Sequence, residues 1–136
     1  MGKYNKLLII TCVYNEEEYI ARTIQSVLLQ TFKPDLWIIV DDGSVDYTPE
    51  ILRSYTYVPW IKIVRKEKSQ SQFGENIVGN LNFGLKDIKL DEFQFIMKID
   101  GDIRFSSDKY LETLMDAFLF NNKLGIASGI TFYEQK

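Results

Sequence analysis

Two unbroken runs of apolar and β-branched residues constrain this chain more than anything else in it: Leu7-Leu8-Ile9-Ile10-Thr11-Cys12-Val13 and Leu36-Trp37-Ile38-Ile39-Val40. A strand with one wet face alternates apolar and polar residues. A run without alternation belongs to a strand covered on both faces, as in a parallel sheet. Between the runs the period changes. Tyr19, Ile20, Ile24, Val27 and Leu28 recur at helical spacing. Glu16, Glu17 and Glu18 suit the positive end of a helix dipole, and Phe32-Lys33-Pro34 stops the pattern.

The alternation continues. Thr48-Pro49-Glu50 fits an N-cap with proline at the first helical position, which predicts a short helix from Thr48 to Tyr55. Trp60 to Val64 reads as a third strand, and Ser69 to Gly74 as a polar loop. Residues 75–88 read as a helix that packs Ile77, Val78, Leu81 and Leu85 inward. Phe93 to Ile99 is the next strand. Ser106-Ser107-Asp108 then introduces a helix with Tyr110, Leu111, Leu114, Met115 and Phe118 on one side. Ile126 to Tyr133 reads as a last strand. Strands alternating with helices predict an α/β fold, a mostly parallel central sheet flanked by helices and joined by right-handed crossovers.

Length and composition exclude several classes. At 136 residues the chain fits a single domain, residues 1–136, with one core. Net charge is −3, without the basic footprint of a general nucleic-acid binder, so no nucleic-acid partner is expected. There is no histidine and one cysteine, which removes histidine-based triads and makes a zinc site improbable. Lys3 and Lys6 precede an apolar stretch too short for a signal peptide, and no run reaches the roughly 18 apolar residues of a bilayer span. The expectation is a soluble, cytoplasmic chain, with peripheral membrane attachment left open.

The strand ends carry the chemistry. In open α/β sheets, ligands bind beyond the carboxyl ends of the strands. Three polar clusters fall there: Tyr14-Asn15-Glu16, Asp41-Asp42-Gly43-Ser44 and Asp100-Gly101-Asp102. Two carboxylates at i and i+2 repel each other in a dry setting. They make sense around a divalent cation, Mn²⁺ or Mg²⁺, that takes its remaining ligands from water and a phosphate. Alone, the triplet is equally an ordinary Asp-Gly turn. Asp41 or Asp42 can accept the imide N–H of a uracil, whose edge presents a donor between two acceptors, and Tyr14 can stack on the base. Neither a dinucleotide-binding glycine motif nor a P-loop is present, so phosphate charge needs the cation.

Taken together these stretches resemble the nucleotide-sugar-binding, N-terminal part of a family 2 inverting glycosyltransferase with the GT-A fold. The likeness rests on Leu8 to Gln30, with Tyr14-Asn15-Glu16-Glu17 and Ser26-Val27-Leu28-Leu29-Gln30-Thr31-Phe32. It also rests on Val40-Asp41-Asp42-Gly43-Ser44-Val45-Asp46 and Ile99-Asp100-Gly101-Asp102, in family order and with family-like spacing. The resemblance implies transfer of a sugar from a UDP- or GDP-sugar to a glycan, lipid or protein acceptor, with inversion and with Mn²⁺ or Mg²⁺. It implies a nucleotide site of Cys12, Tyr14, Glu16, Asp41, Asp42, Asn82 and Asp100, and a metal site of Asp100 and Asp102. The pattern departs from the family at Cys12-Val13, where a proline is common, and at Leu81, where an arginine commonly precedes the helix asparagine. An acceptor half carrying the catalytic base is expected to be short or missing, so no base is nominated. The alternative is a module, or an excised donor-binding fragment, that binds the nucleotide sugar without turning it over. Exposed apolar residues, with Phe118, Leu119, Phe120, Ile130 and Phe132 as candidates, make self-association an expectation.

Overall fold

The computed structural model describes residues 6–67 and 77–133. Its elements run β1 (Leu7–Val13), α1 (Ile20–Leu28), β2 (Leu36–Asp41), α2 (Thr48–Arg53), β3 (Ile61–Arg65), α3 (Ile77–Leu85), a 3-10 turn (Leu90–Glu92), β4 (Phe95–Lys98) and α4 (Tyr110–Phe120). The four strands form one sheet in the order β3-β2-β1-β4, every pair parallel. The expected helix-flanked parallel sheet is the fold observed.

The unbroken apolar runs are split between two cores by the pleat. Leu7, Ile9 and Val13 of β1 and Trp37 and Ile39 of β2 face α1, α2 and α4, meeting Ile24, Val27, Leu52, Leu111 and Met115. Leu8, Ile10, Ile38 and Val40 face the other way, toward Leu81, Phe83 and Leu85 of α3. Trp37 donates its indole N–H to the buried Thr11 hydroxyl at 2.9 Å, so the polar atoms on the first face are paired. Gln30, also buried, ties the end of α1 to the start of α4. It donates to the Ser107 carbonyl at 2.7 Å and accepts the Leu111 N–H at 2.9 Å.

Several boundaries differ from expectation. Helix α1 begins at Ile20 rather than Glu16: residues 17–19 form a turn on the Glu16 carbonyl, which accepts the Tyr19 N–H at 3.0 Å and the Ile20 N–H at 2.9 Å, while the Glu16 and Glu17 amides donate to Thr48 Oγ1 and Asp46 Oδ2. Thr48 is the first residue of α2, not its cap. Asp46 accepts the Thr48 N–H at 2.9 Å and does that work. Ile77 and Val78 are exposed rather than packed inward. The expected strand from Ile126 to Tyr133 is absent: the segment is irregular, with Ile126, Ile130, Phe132 and Tyr133 exposed, and makes no ladder with β4. The loop expected at Ser69 to Gly74 lies outside the described residues.

Gly84 sets how closely α3 approaches the sheet. A Cβ there would sit 2.6 Å from Val40 Cγ2 and 3.2 Å from Ile10 Cδ1. Glycine to alanine in a helix ordinarily gains about 1 kcal/mol, but overpacking costs about 1–3 kcal/mol, and buried Val40 is stiff about χ1. Overpacking should win. Gly84→Ala is expected to lower stability by about 1 kcal/mol, measured as the urea midpoint; a raised midpoint would contradict the packing argument.

Candidate functional site

Because β2, β1 and β4 are adjacent and parallel, their carboxyl ends open onto one edge. The loops beyond them are stitched together. Asn15, with a left-handed φ of 51°, donates its N–H to Ser44 Oγ at 2.9 Å and accepts the Val45 N–H on Oδ1 at 2.9 Å. Glu16 N–H reaches Thr48 Oγ1 at 2.8 Å, Tyr47 N–H reaches Glu17 Oε2 at 2.8 Å, and Asp42 N–H reaches the Val13 carbonyl at 2.9 Å. Gly43 has a φ of 76°, which a side chain would strain.

The acidic turn after β4 locks onto the same assembly. Thr23 of α1 donates its hydroxyl to the Gly101 carbonyl at 2.6 Å, a buried contact. A Cβ on Gly101 would lie 2.7 Å from Val13 Cγ1, so the turn packs directly on the end of β1. Asp100 and Asp102 flank this fixed peptide with exposed side chains, and Asp100 pairs with Lys98. Burial raises the Glu16 carboxyl pKa above its ordinary 4.5, and the charges of Asp102, Asp46 and Asp100 push it further the same way.

The two aspartates ending β2 part company. Asp41 is 1% exposed, accepts the Ser44 N–H at 2.9 Å and forms an ion pair with Arg65, whose other arm donates to the Ser44 carbonyl at 2.8 Å. Both its oxygens are committed within the protein, so it shapes the loop and is not presented to a ligand as expected. Asp42 takes the Asn80 amide on Oδ2 at 2.9 Å, while Oδ1 is buried without a hydrogen bond, 3.5 Å from the Lys66 ammonium. Asn82 is exposed on α3 and is not brought to this cluster; Asn80, two residues earlier, is. Cys12, half-buried, lies between the two acidic groups. Desolvation raises its thiol pKa, with Lys98, Asp42, Lys66 and Asp100 acting on it more weakly. Tyr14 stands exposed at the mouth.

Among the described residues no three or more histidine, cysteine, aspartate or glutamate side chains assemble as a ligand set. Asp100 and Asp102 present exposed carboxylates, the donor type that a hard divalent cation takes alongside water and phosphate, and their charges act on Glu16.

The sequence matches the Glycosyl transferase family 2 profile over residues 8–136. The chain belongs to that family. Among its relatives, this family 2 chain is 34% identical over 130 residues to the minor teichoic acid biosynthesis protein GgaA of Bacillus subtilis, covering 92% of the chain and 27% of GgaA. It is 30% identical over 116 residues to the poly-beta-1,6-N-acetyl-D-glucosamine synthase of Staphylococcus epidermidis, covering 85% of the chain and 26% of the synthase. Crystal structures of S. aureus TarS 1-349 superpose with a TM-score of 0.65 at 28% identity, over 87% of this chain and 32% of TarS. The complex of TarS with UDP gives 0.66 at 26%, over 85% and 32%. The mannosyltransferase PcManGT of Pyrobaculum calidifontis, solved with GDP-Man and Mn²⁺, shares the fold at a TM-score of 0.66 and 20% identity, over 85% and 32%. The chain thus spans about a quarter to a third of the length of these relatives. Among the described residues no helix is long and apolar enough to cross a membrane.

Thr23→Val leaves the buried Gly101 carbonyl without a donor and should cost about 1–3 kcal/mol in urea unfolding, with Thr23→Ser recovering most of it; equal stability of Thr23→Val and the parent would refute the lock. Glu16 has a folded pKa above its unfolded one, so the folded state holds its proton more tightly. Its penalty appears as pH rises above 4.5 and is full at pH 7. Glu16→Gln should therefore stabilise at pH 7, by at most about 0.5 kcal/mol because the group is only partly buried and is screened by solvent, and the gain should vanish by pH 4. A gain that grows on acidification would reverse the assignment.

Proposed function

We propose that this chain supplies the donor half of a glycosyltransferase, binding a nucleoside-diphosphate sugar for inverting transfer to an acceptor hydroxyl. The observation that carries the reading is the convergence of the tips of β1, β2 and β4 on one crevice in a family 2 chain, with GgaA and TarS among its relatives. Tyr14 and Asp42 face the base, Cys12 floors the crevice, and Glu16 and Asp100 line the path to the sugar. Asp100 and Asp102 would hold Mn²⁺ or Mg²⁺, which when bound offsets charge on the diphosphate leaving group. Thr23 and Gly101 fix the spacing of that pair, and Lys98 restrains Asp100. In inversion, the acceptor oxygen attacks the anomeric carbon opposite the diphosphate while a carboxylate takes its proton. The acceptor would be a hydroxyl of a glycan, lipid or protein.

Calorimetry with UDP and GDP, with and without Mn²⁺, tests the reading. At least one nucleotide should bind, Mn²⁺ should tighten it about tenfold or more, and Asp102→Asn should abolish most of that gain while leaving the fold intact. Failure of both nucleotides to bind under every condition would defeat the proposal. Donor hydrolysis or transfer by the same chain would separate catalysis from binding alone.

A further inference from the structure

We infer that the cavity between α1 and the segment linking β4 to α4 binds the phosphate group of an organic phosphate, at a site separate from the strand-end crevice. The cavity has a volume of about 320 Å³, at the lower end of the roughly 300–1,000 Å³ of small-ligand pockets. Arg22 of α1 and Arg104 of the linking segment both line it, together with Ser106 and Ser107. Cys12, Tyr14, Glu16, Asp42, Asp100 and Asp102 do not. Fixed contacts hold the two walls in place. Ser26 Oγ accepts the Phe105 N–H at 3.2 Å, Gln30 donates to the Ser107 carbonyl at 2.7 Å, and the Thr31 N–H donates to the Asp108 carbonyl at 2.7 Å. The site is therefore built before a ligand arrives, which lowers the ordering cost of binding.

The lining favours an anion of a particular shape. Each guanidinium carries five N–H donors in a planar fork, so one that also meets a protein partner keeps donors for a ligand. Two forks and two serine hydroxyls suit a tetrahedral group with several acceptor oxygens better than a flat carboxylate, which a single fork fills. Helix α4 begins at Tyr110, so its positive end lies just beyond Ser107 and Asp108 of the lining. Leu29, 72% exposed, and Phe105, stacked on Tyr110 with ring centroids 4.5 Å apart, supply an apolar wall for the carbon skeleton attached to the phosphate. One carboxylate, Asp108, opposes the two arginines in the lining. Its charge competes with the ligand's for the same guanidinium groups, so its removal should tighten binding.

The test is a titration of the isotope-labelled chain with glycerol 3-phosphate, followed by amide chemical shifts. Saturable shifts should cluster on residues 22–30 and 104–108, with a dissociation constant on the order of 1 mM or tighter. Arg22→Gln combined with Arg104→Gln should weaken binding about tenfold or more, and Asp108→Asn should tighten it about threefold. Both arginines are exposed, so the double variant should fold as the parent does. Inorganic phosphate and glycerate, each lacking one part of the ligand, should bind about threefold more weakly or worse. No saturable shift at about ten times the expected constant, or shifts centred on Tyr14 and residues 100–102, overturns the inference and needs no variant to fold. Equal binding by the double variant overturns it as well, and a match by inorganic phosphate or glycerate overturns the assigned ligand class. Loss of nucleotide binding in the double variant would put the arginines in the strand-end crevice and overturn the separation of the two sites.

Discussion

Strand β1 is hydrogen-bonded on both edges, to β2 and to β4, and the candidate site depends on that double pairing. A parallel strand cannot join its neighbour by a hairpin, so each connection carries a helix across a face of the sheet. The chain therefore returns to the same edge each time it finishes a strand. Acidic residues distant in sequence meet there without any of them contributing to the core. The register fixes how far each tip protrudes. Cys12 lies opposite Val40 and Val13 opposite Asp41, so the acidic pair starts where β1 ends.

The pleat then divides labour between adjacent aspartates. Asp41 and Asp42 differ by one residue and point to opposite sides. A buried carboxylate is tolerable only with its charge matched and its lone pairs filled. Arg65 and the Ser44 amide meet those conditions for Asp41. Asp42 is matched differently, by the Asn80 amide on Oδ2 and an ion pair with Lys66 at 3.5 Å that leaves Oδ1 without a hydrogen bond. The two neighbours thus differ in degree of satisfaction rather than in residue type.

The sequence displayed the sheet plainly, because a strand buried on both faces has few ways to be written. It displayed the tips after β1 and β2 for the same reason; the third follows β4, an apolar run whose residues alternate half-buried and exposed. Asn80 was hidden. From sequence, Asn82 and Asn80 are two asparagines on one helix, and only the rotation of α3, set by Gly84 against Val40, brings Asn80 to Asp42. The start of α1 was obscured similarly, since the amides of Glu16 and Glu17 are claimed by side chains some thirty residues away. Ile126 to Tyr133 has strand-like composition, but β propensity reports fit to a pleated, half-buried surface. In the described residues that segment pairs with no strand.

The acidic crevice also bears on ligand choice. Burial raises the Glu16 pKa, and the charges of Asp102, Asp46 and Asp100 push it the same way. A bare diphosphate would add negative charge to that field and be repelled. Under the proposed function, a diphosphate accompanied by a divalent cation would reverse the sign of the encounter, relieving Glu16, Asp100 and Asp102 together. The same carboxylates would then select the complexed anion over the bare one, because only the complex offsets the charge they carry.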